Sequence, residues 1–272
     1  MVRRIWALAV LTCREGVRDR AIYGIVLFAL FVLGLNIVIA DFFMRQLGKV
    51  TVDMNLSALS FAGLLLIFFV GINLMAKDID KKTIHLVLSR PFSRGEYIWG
   101  KFIGLALLAV VTLAVLLVFS CITIAIVQAD SVGYFNEFSW SVFFWAVLFL
   151  GMQLFLLCAV VVFFSTLTTS SFLTLILSLA SYIIGISLEE VVFYIRSQAA
   201  AGEAVASEAV VRVIEVTSWL VPNFAAFDLK TEAAHGLLLD GWRLATTAGY
   251  GVTYIVILMW LATLVFRRRE FN

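Results

Sequence analysis

The sequence is short of charge, proline, cysteine and histidine, and these shortages exclude several classes of protein. Only 14% of the 272 residues are charged, whereas 63% are hydrophobic and the mean hydropathy is +1.06. A soluble domain averages about 25% charged residues, so the composition excludes a soluble globular domain. With only two prolines, long stretches are free of the residue that breaks helices. We therefore interpret the chain as a polytopic membrane protein.

Cysteine and histidine are too few and too scattered for a disulfide framework or a metal centre. Cys13, Cys121 and Cys158 form no C-x-x-C pair, and we interpret them as small buried side chains. His85 and His235 lie far apart, on opposite predicted sides of the membrane. The sequence therefore predicts neither a resident metal nor a cofactor.

Six apolar segments each have about the 20 residues that a helical span requires. We expect these spans at residues 21–40, 56–75, 102–127, 140–164, 172–188 and 242–266, with simple connectors at 41–55 and 128–139. The fold class is therefore all-α, a polytopic membrane protein with six transmembrane helices in a single transmembrane domain over residues 1–272. The uncharged hydroxyl cluster at 165–171 predicts a tight turn.

The predicted spans hold almost no charge, since Arg243 at the outer edge of the last span is the exception. A carrier coupled to protons or sodium needs a titratable or ion-coordinating group near the midplane, so this absence argues against one. Their main polar interruptions are interpreted as interhelical hydrogen-bond partners, namely Asn36, Asn73, Gln153 and Tyr182.

The distribution of basic residues predicts the orientation of the chain. Of the 20 lysines and arginines, fourteen lie on the side of residues 1–20, 77–101 and 267–269, and six lie on the other side. Because cytoplasmic loops carry the excess of lysine and arginine, we expect both termini in the cytoplasm. Residues 1–20 combine arginines with a short apolar run, which predicts an amphipathic helix at the inner membrane surface.

The longest charged segment between two spans, residues 76–102, holds an apolar patch at 84–88. Pro91 cannot continue a helix, and Ser93 and Glu96 fit the S-x-x-E capping box that opens the next one. The pattern predicts a short helix, a break and a capped helix that enters the membrane. The apolar patch either lies on its own bundle or docks on a separate soluble protein, and the residues alone leave both open.

The same segment carries a resemblance to a known family. It reads Asp78-Ile79-Asp80, Thr83-Ile84, Leu88-Ser89-Arg90-Pro91-Phe92-Ser93-Arg94, Tyr97 and Gly100-Lys101-Phe102. This order resembles the first cytoplasmic loop of type 2 ABC exporter permeases, in the branch that includes membrane subunits for multicopper-enzyme maturation. Lys82 departs from the Gly or Arg that is common there. The resemblance extends to the six-span plan and so covers most of the chain.

The resemblance implies that the chain is the permease subunit of an ATP-driven exporter in the bacterial plasma (inner) membrane. Residues 1–20 would be its interfacial elbow helix and 76–101 its coupling-helix loop. Two cytoplasmic ABC ATPase subunits and a second permease copy or homologue are the implied partners, alongside membrane lipid and without nucleic acid. The implied ATPase contacts are Asp78, Ile79, Lys82, Thr83, Ile84, Leu86, Val87, Arg90, Pro91 and Arg94.

The chain is not expected to be an enzyme. Gly95 to Lys101 matches G-x-x-x-x-G-K, but Phe102 stands where the phosphate loop needs Ser or Thr, and no strand precedes it. We instead interpret the small residues as surfaces for close helix packing. These are Gly100 with Gly104, Ser181 with Gly185, and Ala245 with Gly249.

Residues 189–241 form the one long extracytoplasmic loop, and apolar residues at helical spacing over 203–220 predict an amphipathic helix within it. The loop either gates the exit, contacts an extracytoplasmic partner, or simply caps the bundle. For the whole chain, the alternative to a permease is a membrane anchor or sensor that recruits a cytoplasmic regulator without transport. The sequence predicts no particular substrate, and the direction of transport depends on the resemblance.

Overall fold

The protein is described by a computed structural model over residues 2–40, 46–75, 93–130, 133, 135, 138–200, 212, 214, 216–218 and 220–268. This described part of the chain is almost entirely helical and holds no β-strand. Six of its helices are long and apolar enough to cross a membrane. The predicted all-α polytopic fold is therefore confirmed.

The helices follow one another along the chain as a bundle with one short preceding helix. They are α1 (Val2–Val17), α2 (Arg20–Ala40), α3 (Leu47–Leu65, continued by a π-helical segment Leu66–Gly71), α4 (Arg94–Asp130), α5 (Trp140–Leu167), α6 (Ser171–Ala200), α7 (Lys230–His235) and α8 (Gly241–Arg268). A 3₁₀ turn, Ala225–Phe227, comes before α7. With six spans, α1 and the end of α8 lie at the same end of the bundle.

The six observed spans match the six predicted ones, with differences at their ends. They are Arg20–Val38, Leu47–Met75, Arg94–Asp130, Trp140–Leu167, Ser171–Ile195 and Gly241–Arg268. The turn between the fourth and fifth spans is as short as predicted, because Thr168 ends α5 and Ser171 begins α6.

The predicted connector at residues 41–55 is wrong over its second half, since α3 begins at Leu47. Thr51 and Asn55 are polar, yet both are fully buried. The Asn55 side-chain amide donates to the Thr51 carbonyl oxygen at 2.8 Å, and the Ser120 hydroxyl donates to Asn55 Oδ1 at 2.8 Å. These partners allow polar side chains to sit inside a helix of the bundle.

Helices α3 and α5 form the centre of the bundle. In their most apolar stretches 72% and 67% of the residues are buried, against 28% in α2, α6 and α8. Phe143 and Phe149 of α5 are fully enclosed. Side chains of this one chain therefore fill the centre of the bundle. The outer helices α2, α6 and α8 have apolar side chains on their outward faces, which are not covered by the rest of the chain.

Two predictions fall on residues that the structure does not describe. The apolar loop patch and most of its predicted contacts lie within residues 76–92, and most of the predicted helix at 203–220 also lies outside the described ranges. The fifth span was predicted to end at residue 188, whereas the apolar helix that could cross a membrane extends to Ile195 and α6 as a whole to Ala200.

Candidate functional site

The near end of the bundle, defined as α1, the first turns of α4 and the last turns of α8, is where residues 76–92 join the third span. The Ser93 backbone N–H donates to the Glu96 carboxylate at 2.9 Å, and the Glu96 N–H donates to Ser93 Oγ at 3.2 Å. This is the predicted capping box, which is confirmed. Reciprocal bonds of this kind satisfy free N–H groups of the first turn and fix where α4 starts.

The first turn of α4 is fastened to the last turn of α8. The Arg94 guanidinium donates to the carbonyl oxygens of Phe266 at 3.3 Å and Arg267 at 3.0 Å. The last carbonyls of a helix have no partner within the helix, so Arg94 caps α8 from outside. The Tyr97 ring stacks on Phe266, with 5.6 Å between ring centroids and 15° between ring planes. The third and sixth spans are therefore joined at this end.

Helix α1 runs beside α4 in the same direction, and glycines set the contact. A Cβ atom at Gly100 would lie 2.7 Å from Leu8 Cδ2, and one at Gly104 would lie 2.6 Å from Thr12 Cβ and 2.8 Å from the Ala9 carbonyl oxygen. One helical turn further, Gly16 of α1 receives Leu108 of α4. Contacts that advance by four residues on both helices keep them parallel over more than two turns.

Two oppositely charged side chains are buried in the first turns of α4. Glu96 is 6% exposed and Lys101 is 3% exposed. The Arg4 charge of α1 attracts the Glu96 carboxylate, and Lys101 Nζ lies 5.9 Å from the centre of the Tyr97 ring, within the range of a cation–π contact. The attraction between Arg4 and Glu96 therefore links α1 to α4, whereas the contact of Lys101 with Tyr97 lies within α4.

The cysteines of the described residues are all free. Burial raises the pKa of the Cys13 thiol on α1, which keeps it protonated and poorly nucleophilic at neutral pH. Cys158 is completely enclosed in α5. Within the described ranges, no group of three or more His, Cys, Asp or Glu side chains is arranged to hold a metal ion.

At the opposite end, the far-end loop (residues 220–229) is seated in the bundle. Phe224 and Phe227 are completely buried. The Phe224 N–H donates to the Gly185 carbonyl oxygen at 3.2 Å, and Gln153 Nε2 donates to the Phe224 carbonyl oxygen at 3.3 Å. These bonds hold the loop against α5 and α6, so it is an integral part of the bundle.

Tyrosine hydroxyls of α8 hold the other side of this loop. The Asn223 N–H donates to the Tyr250 hydroxyl at 2.9 Å, and the Tyr254 hydroxyl donates to the Leu220 carbonyl oxygen at 2.8 Å. A Cβ atom at Gly251 would lie 2.8 Å from the Phe227 ring. The loop is thus clasped between three spans by single hydrogen bonds and ring contacts.

A cleft of about 550 Å³ opens beside this loop, between α6 and α8. Its lining mixes apolar and polar side chains, including Glu189, Asn223, Thr246 and Tyr250. Asn223 Nδ2 donates to Glu189 Oε2 at 3.4 Å. The lining offers hydroxyl, amide and carboxylate groups for binding.

A model of the protein family described as ABC-2 family transporter protein matches residues 6–271. This match begins within α1 and continues past the end of α8, so it covers nearly the whole chain. The chain belongs to the ABC-2 transporter family. A search of curated proteins finds no match. As an ABC-2 permease the protein is a multi-pass membrane subunit of an ABC transporter, of a kind that is generally not catalytic itself and associates with an ABC ATPase.

Of the ten predicted ATPase contacts in this ABC-2 permease, the structure describes Arg94 alone. The Arg94 guanidinium bonds to the end of α8, an intramolecular role that its sequence position did not reveal. The other nine, at residues 78–91, lie outside the described residues. The contact of all ten with an ATPase stays a prediction.

The small residues of the permease lie in different surroundings. Gly100 and Gly104 face α1, whereas Gly185 faces the Pro222 carbonyl oxygen and the Phe224 ring, with Ser181 buried one turn away on the same helix. The close packing expected at Gly249 is not seen among the described residues, where no atom lies within 4 Å of its Cβ position. Spacing alone did not reveal which face of α8 points into the bundle. The glycine of α8 that contacts a buried side chain is Gly251, which packs against the Phe227 ring.

Sequence reasoning missed most of a buried polar cluster between α2, α3 and α4. Asn36 Nδ2 donates to the Thr51 carbonyl oxygen at 3.0 Å, which confirms Asn36 as an interhelical partner. Thr51, Asn55 and Ser120 complete the cluster. The available signal was the four-residue spacing of Thr51 and Asn55, which puts both on one helical face. By contrast, Asn73 is exposed, and its predicted interhelical hydrogen bond is not seen among the described residues.

Proposed function

We propose that this permease is part of an exporter in a bacterial plasma membrane, driven by a separate cytoplasmic ATPase, with both termini in the cytoplasm. The near end carries α1 with its arginines and the basic last turn of α8. An excess of basic residues on one side is typical of the cytoplasmic side. The family supports the ATPase partnership in general terms.

The ATPase contact would be residues 76–92, with Asp78, Ile84 and Leu86 among its contacts. The single observation that carries this proposal is the position of the segment. It joins the end of the second span at Met75 to the capped start of the third at Ser93, at the near end. An apolar patch exposed there gains about 1.5–3 kcal/mol for each large side chain that a partner buries.

The contacts around α4 supply a route for the movement. A push on residues 76–92 would reach α4 through the Ser93–Glu96 capping box. From there Arg94 would carry it to α8 and the glycine contacts would carry it to α1. Three helices would then move as one body when the ATPase subunits close.

The assembly would contain two copies of this permease, or one copy with a homologue, and two ATPase subunits. Export as the direction of transport and the multicopper-maturation branch both depend on the resemblance of the loop. The family match is to the family as a whole, so the branch stays a prediction.

Co-purification tests the docking role. We expect Leu86→Asp to abolish retention of the partner ABC ATPase, while the permease still inserts into the membrane. The matched control is Leu167→Asp, which places the same charge on an exposed leucine at the same end of the bundle. Unchanged retention by Leu86→Asp contradicts the proposal.

Reconstituted vesicles separate transport from recruitment. A permease that acts in export is expected to stimulate ATP hydrolysis by its partner and to move a substrate across the vesicle membrane. ATPase binding without stimulation and without transport would instead favour a membrane anchor or sensor.

A further inference from the structure

The cleft of about 550 Å³ between α6 and α8, called the far-end cleft from here on, carries charge of one sign. Among the described residues that line it, Glu189 of α6 is the only charged one. Arg243 of α8 does not line the cleft and instead pairs with Glu232 of α7 at 3.5 Å. A cleft whose described lining holds a carboxylate and no basic side chain favours a ligand with a positive charge.

The Glu189 carboxylate keeps most of its capacity to accept hydrogen bonds. Asn223 Nδ2 donates to Glu189 Oε2 at the long distance of 3.4 Å. The same amide accepts the Ala226 backbone N–H at 3.2 Å through Oδ1, which fixes its orientation. An ionised carboxylate has two oxygens and about four acceptor sites. Since Glu189 is also exposed, a ligand can reach the remaining sites from outside the bundle.

Hydroxyl groups of α8 form the other wall of the far-end cleft. Thr246, Thr247 and Tyr250 all line it, because a spacing of three or four residues puts them on one helical face. Thr246 Oγ1 donates to a carbonyl oxygen of its own helix at 3.0 Å, and the Tyr250 hydroxyl accepts the Asn223 N–H at 2.9 Å. A hydroxyl has one donor and two acceptor positions, so each oxygen can accept a further bond. Together with the carboxylate, these oxygens can receive the three N–H donors of a primary ammonium group.

Both walls of the far-end cleft lie where an apolar run ends. On α6, the long apolar run ends directly before Glu189. On α8, a span of about 20 residues counted back from Phe266, which precedes the basic end of the helix, ends near Thr247. Trp242 lies beyond it and is 77% exposed, and exposed tryptophan is typical of the head-group level of a membrane. The cleft is therefore level with the head groups of the surrounding lipid.

From these observations we propose that the far-end cleft binds a phospholipid whose head group ends in a primary ammonium group, as in phosphatidylethanolamine. The ammonium group donates to Glu189 and to the hydroxyl oxygens of α8, while the acyl chains remain in the surrounding lipid. A choline head group has no N–H and cannot make these bonds. A head group held in this way joins α6 to α8 beside the far-end loop. The site goes beyond the proposed function, because it depends neither on the ATPase nor on the direction of transport.

Native mass spectrometry of the full-length permease in detergent measures this binding lipid by lipid. The probes have equal acyl chains and differ in their N–H donors: phosphatidylethanolamine has three, its N,N-dimethyl derivative has one, and phosphatidylcholine has none. We expect affinity to fall in this order, by about tenfold from first to last, because a hydrogen bond to a charged group adds that much. Equal affinities of the three lipids overturn the proposal. Tighter binding of phosphatidylglycerol, whose head group has no cation, overturns it as well.

Variants assign the preference to the far-end cleft. Glu189→Gln is expected to remove the preference for phosphatidylethanolamine, because the amide keeps the shape of the side chain and loses its charge. The matched control is Glu190→Gln, since Glu190 is the next residue, is also exposed and does not line the cleft. This control is expected to retain the preference. Thr247→Trp fills the cleft and is expected to abolish the selective binding. An unchanged preference in Glu189→Gln, or an equal loss in Glu190→Gln, overturns the proposal.

Thermal unfolding identifies any variant that fails to fold, and Glu189→Gln against Glu190→Gln then compares two folded proteins changed at neighbouring exposed positions. Competition with glycerophosphoethanolamine, the same head group without acyl chains, identifies the source of the ammonium group. We expect it to displace the lipid only at a much higher concentration. Displacement at an equal concentration would mean that the ligand is a soluble amine, and the lipid would be rejected. The proposal is also wrong if Thr247→Trp disrupts a dimer and leaves lipid binding intact, since the cleft is then a contact between copies.

Discussion

The two ends of the bundle are held together by different kinds of contact. At the near end, helix backbones approach closely at Gly100 and Gly104, and Glu96 and Lys101 are buried on the same turns of α4. At the far end, a loop is held by individual hydrogen bonds from Tyr250 and Tyr254 and by the aromatic rings around Phe224. The near end therefore behaves as one stiff body, whereas the far end is built from bonds that break one at a time.

This difference suits a transporter in which force is applied at the near end and the far end opens. A close backbone contact transmits displacement, because neither helix can give way without overlap of atoms. A loop held by single bonds of about 1 kcal/mol each is released at a modest cost. Substitutions that test this contrast follow, from the largest expected effect to the smallest.

Gly104→Leu is expected to cause the largest loss, about 3 kcal/mol of unfolding free energy. The new side chain meets the Ala9 carbonyl oxygen, which is backbone and cannot move aside, so α1 must leave α4. Denaturant titration of the purified protein in micelles measures the loss. Gly249→Leu is the control, since no described residue lies within 4 Å of its Cβ position. Equal stability of the two variants would show that the near end is not close-packed.

Gly185→Ala is expected to cost about 2 kcal/mol, with its effect confined to the far end. The added methyl group meets the Pro222 carbonyl oxygen and the Phe224 ring, so the loop lifts from α6. Hydrogen exchange of the backbone amides measures this, and Phe224, which donates to the Gly185 carbonyl oxygen, should lose protection. Simultaneous loss of protection in α1 would contradict the independence of the two ends.

Arg94→Gln is expected to cost about 1 kcal/mol, since capping interactions contribute about that much. The shorter, neutral side chain no longer reaches the carbonyl oxygens of Phe266 and Arg267. The readout is faster amide exchange in the last turns of α8, together with the unfolding free energy. Arg268→Gln, at an exposed position of the same turn, is the control, and an equal effect there would refute the cap.

Tyr254→Phe is expected to have the smallest effect, about 0.6 kcal/mol, the average for hydrogen bonds between membrane helices. It removes only the hydroxyl that donates to the Leu220 carbonyl oxygen and keeps the ring. Thermal unfolding of the variant and of the double variant with Tyr250→Phe shows whether the two hydroxyls act separately. A loss above about 2 kcal/mol would mean that the far end is a cooperative unit and not a set of single bonds.

The six spans, the capping box and the short turn after α5 were predictable because each depends on residues close together in sequence. A run of about 20 apolar residues is enough to indicate a membrane span, and the Ser93-x-x-Glu96 spacing is enough to indicate the start of a helix. The start of α3 was missed because the partner that satisfies Asn55 is Ser120, which is 65 residues away. The same holds for Arg94, whose partners belong to the last helix.

The glycines show the same limit. Sequence spacing identified stripes of small residues, but the partner of each stripe depends on the tertiary arrangement. Gly104 meets another helix, Gly185 meets a loop, and Gly249 meets nothing within the described chain. The position of Lys230 was also beyond prediction, since it lines a small gap against α3 only when the segment after the fifth span folds back into the bundle.

The parallel contact between α1 and α4 has a mechanical consequence. The contacts repeat every four residues on both helices and pair Leu8 with Gly100, Thr12 with Gly104 and Gly16 with Leu108. The two helix surfaces therefore interlock. If one helix slides along the other by less than this four-residue repeat, which is about 6 Å along the axis, a side chain collides with the opposing backbone. The two helices therefore cannot slide past each other under a small force. Any force on the first helix is transmitted to the third span and rotates it.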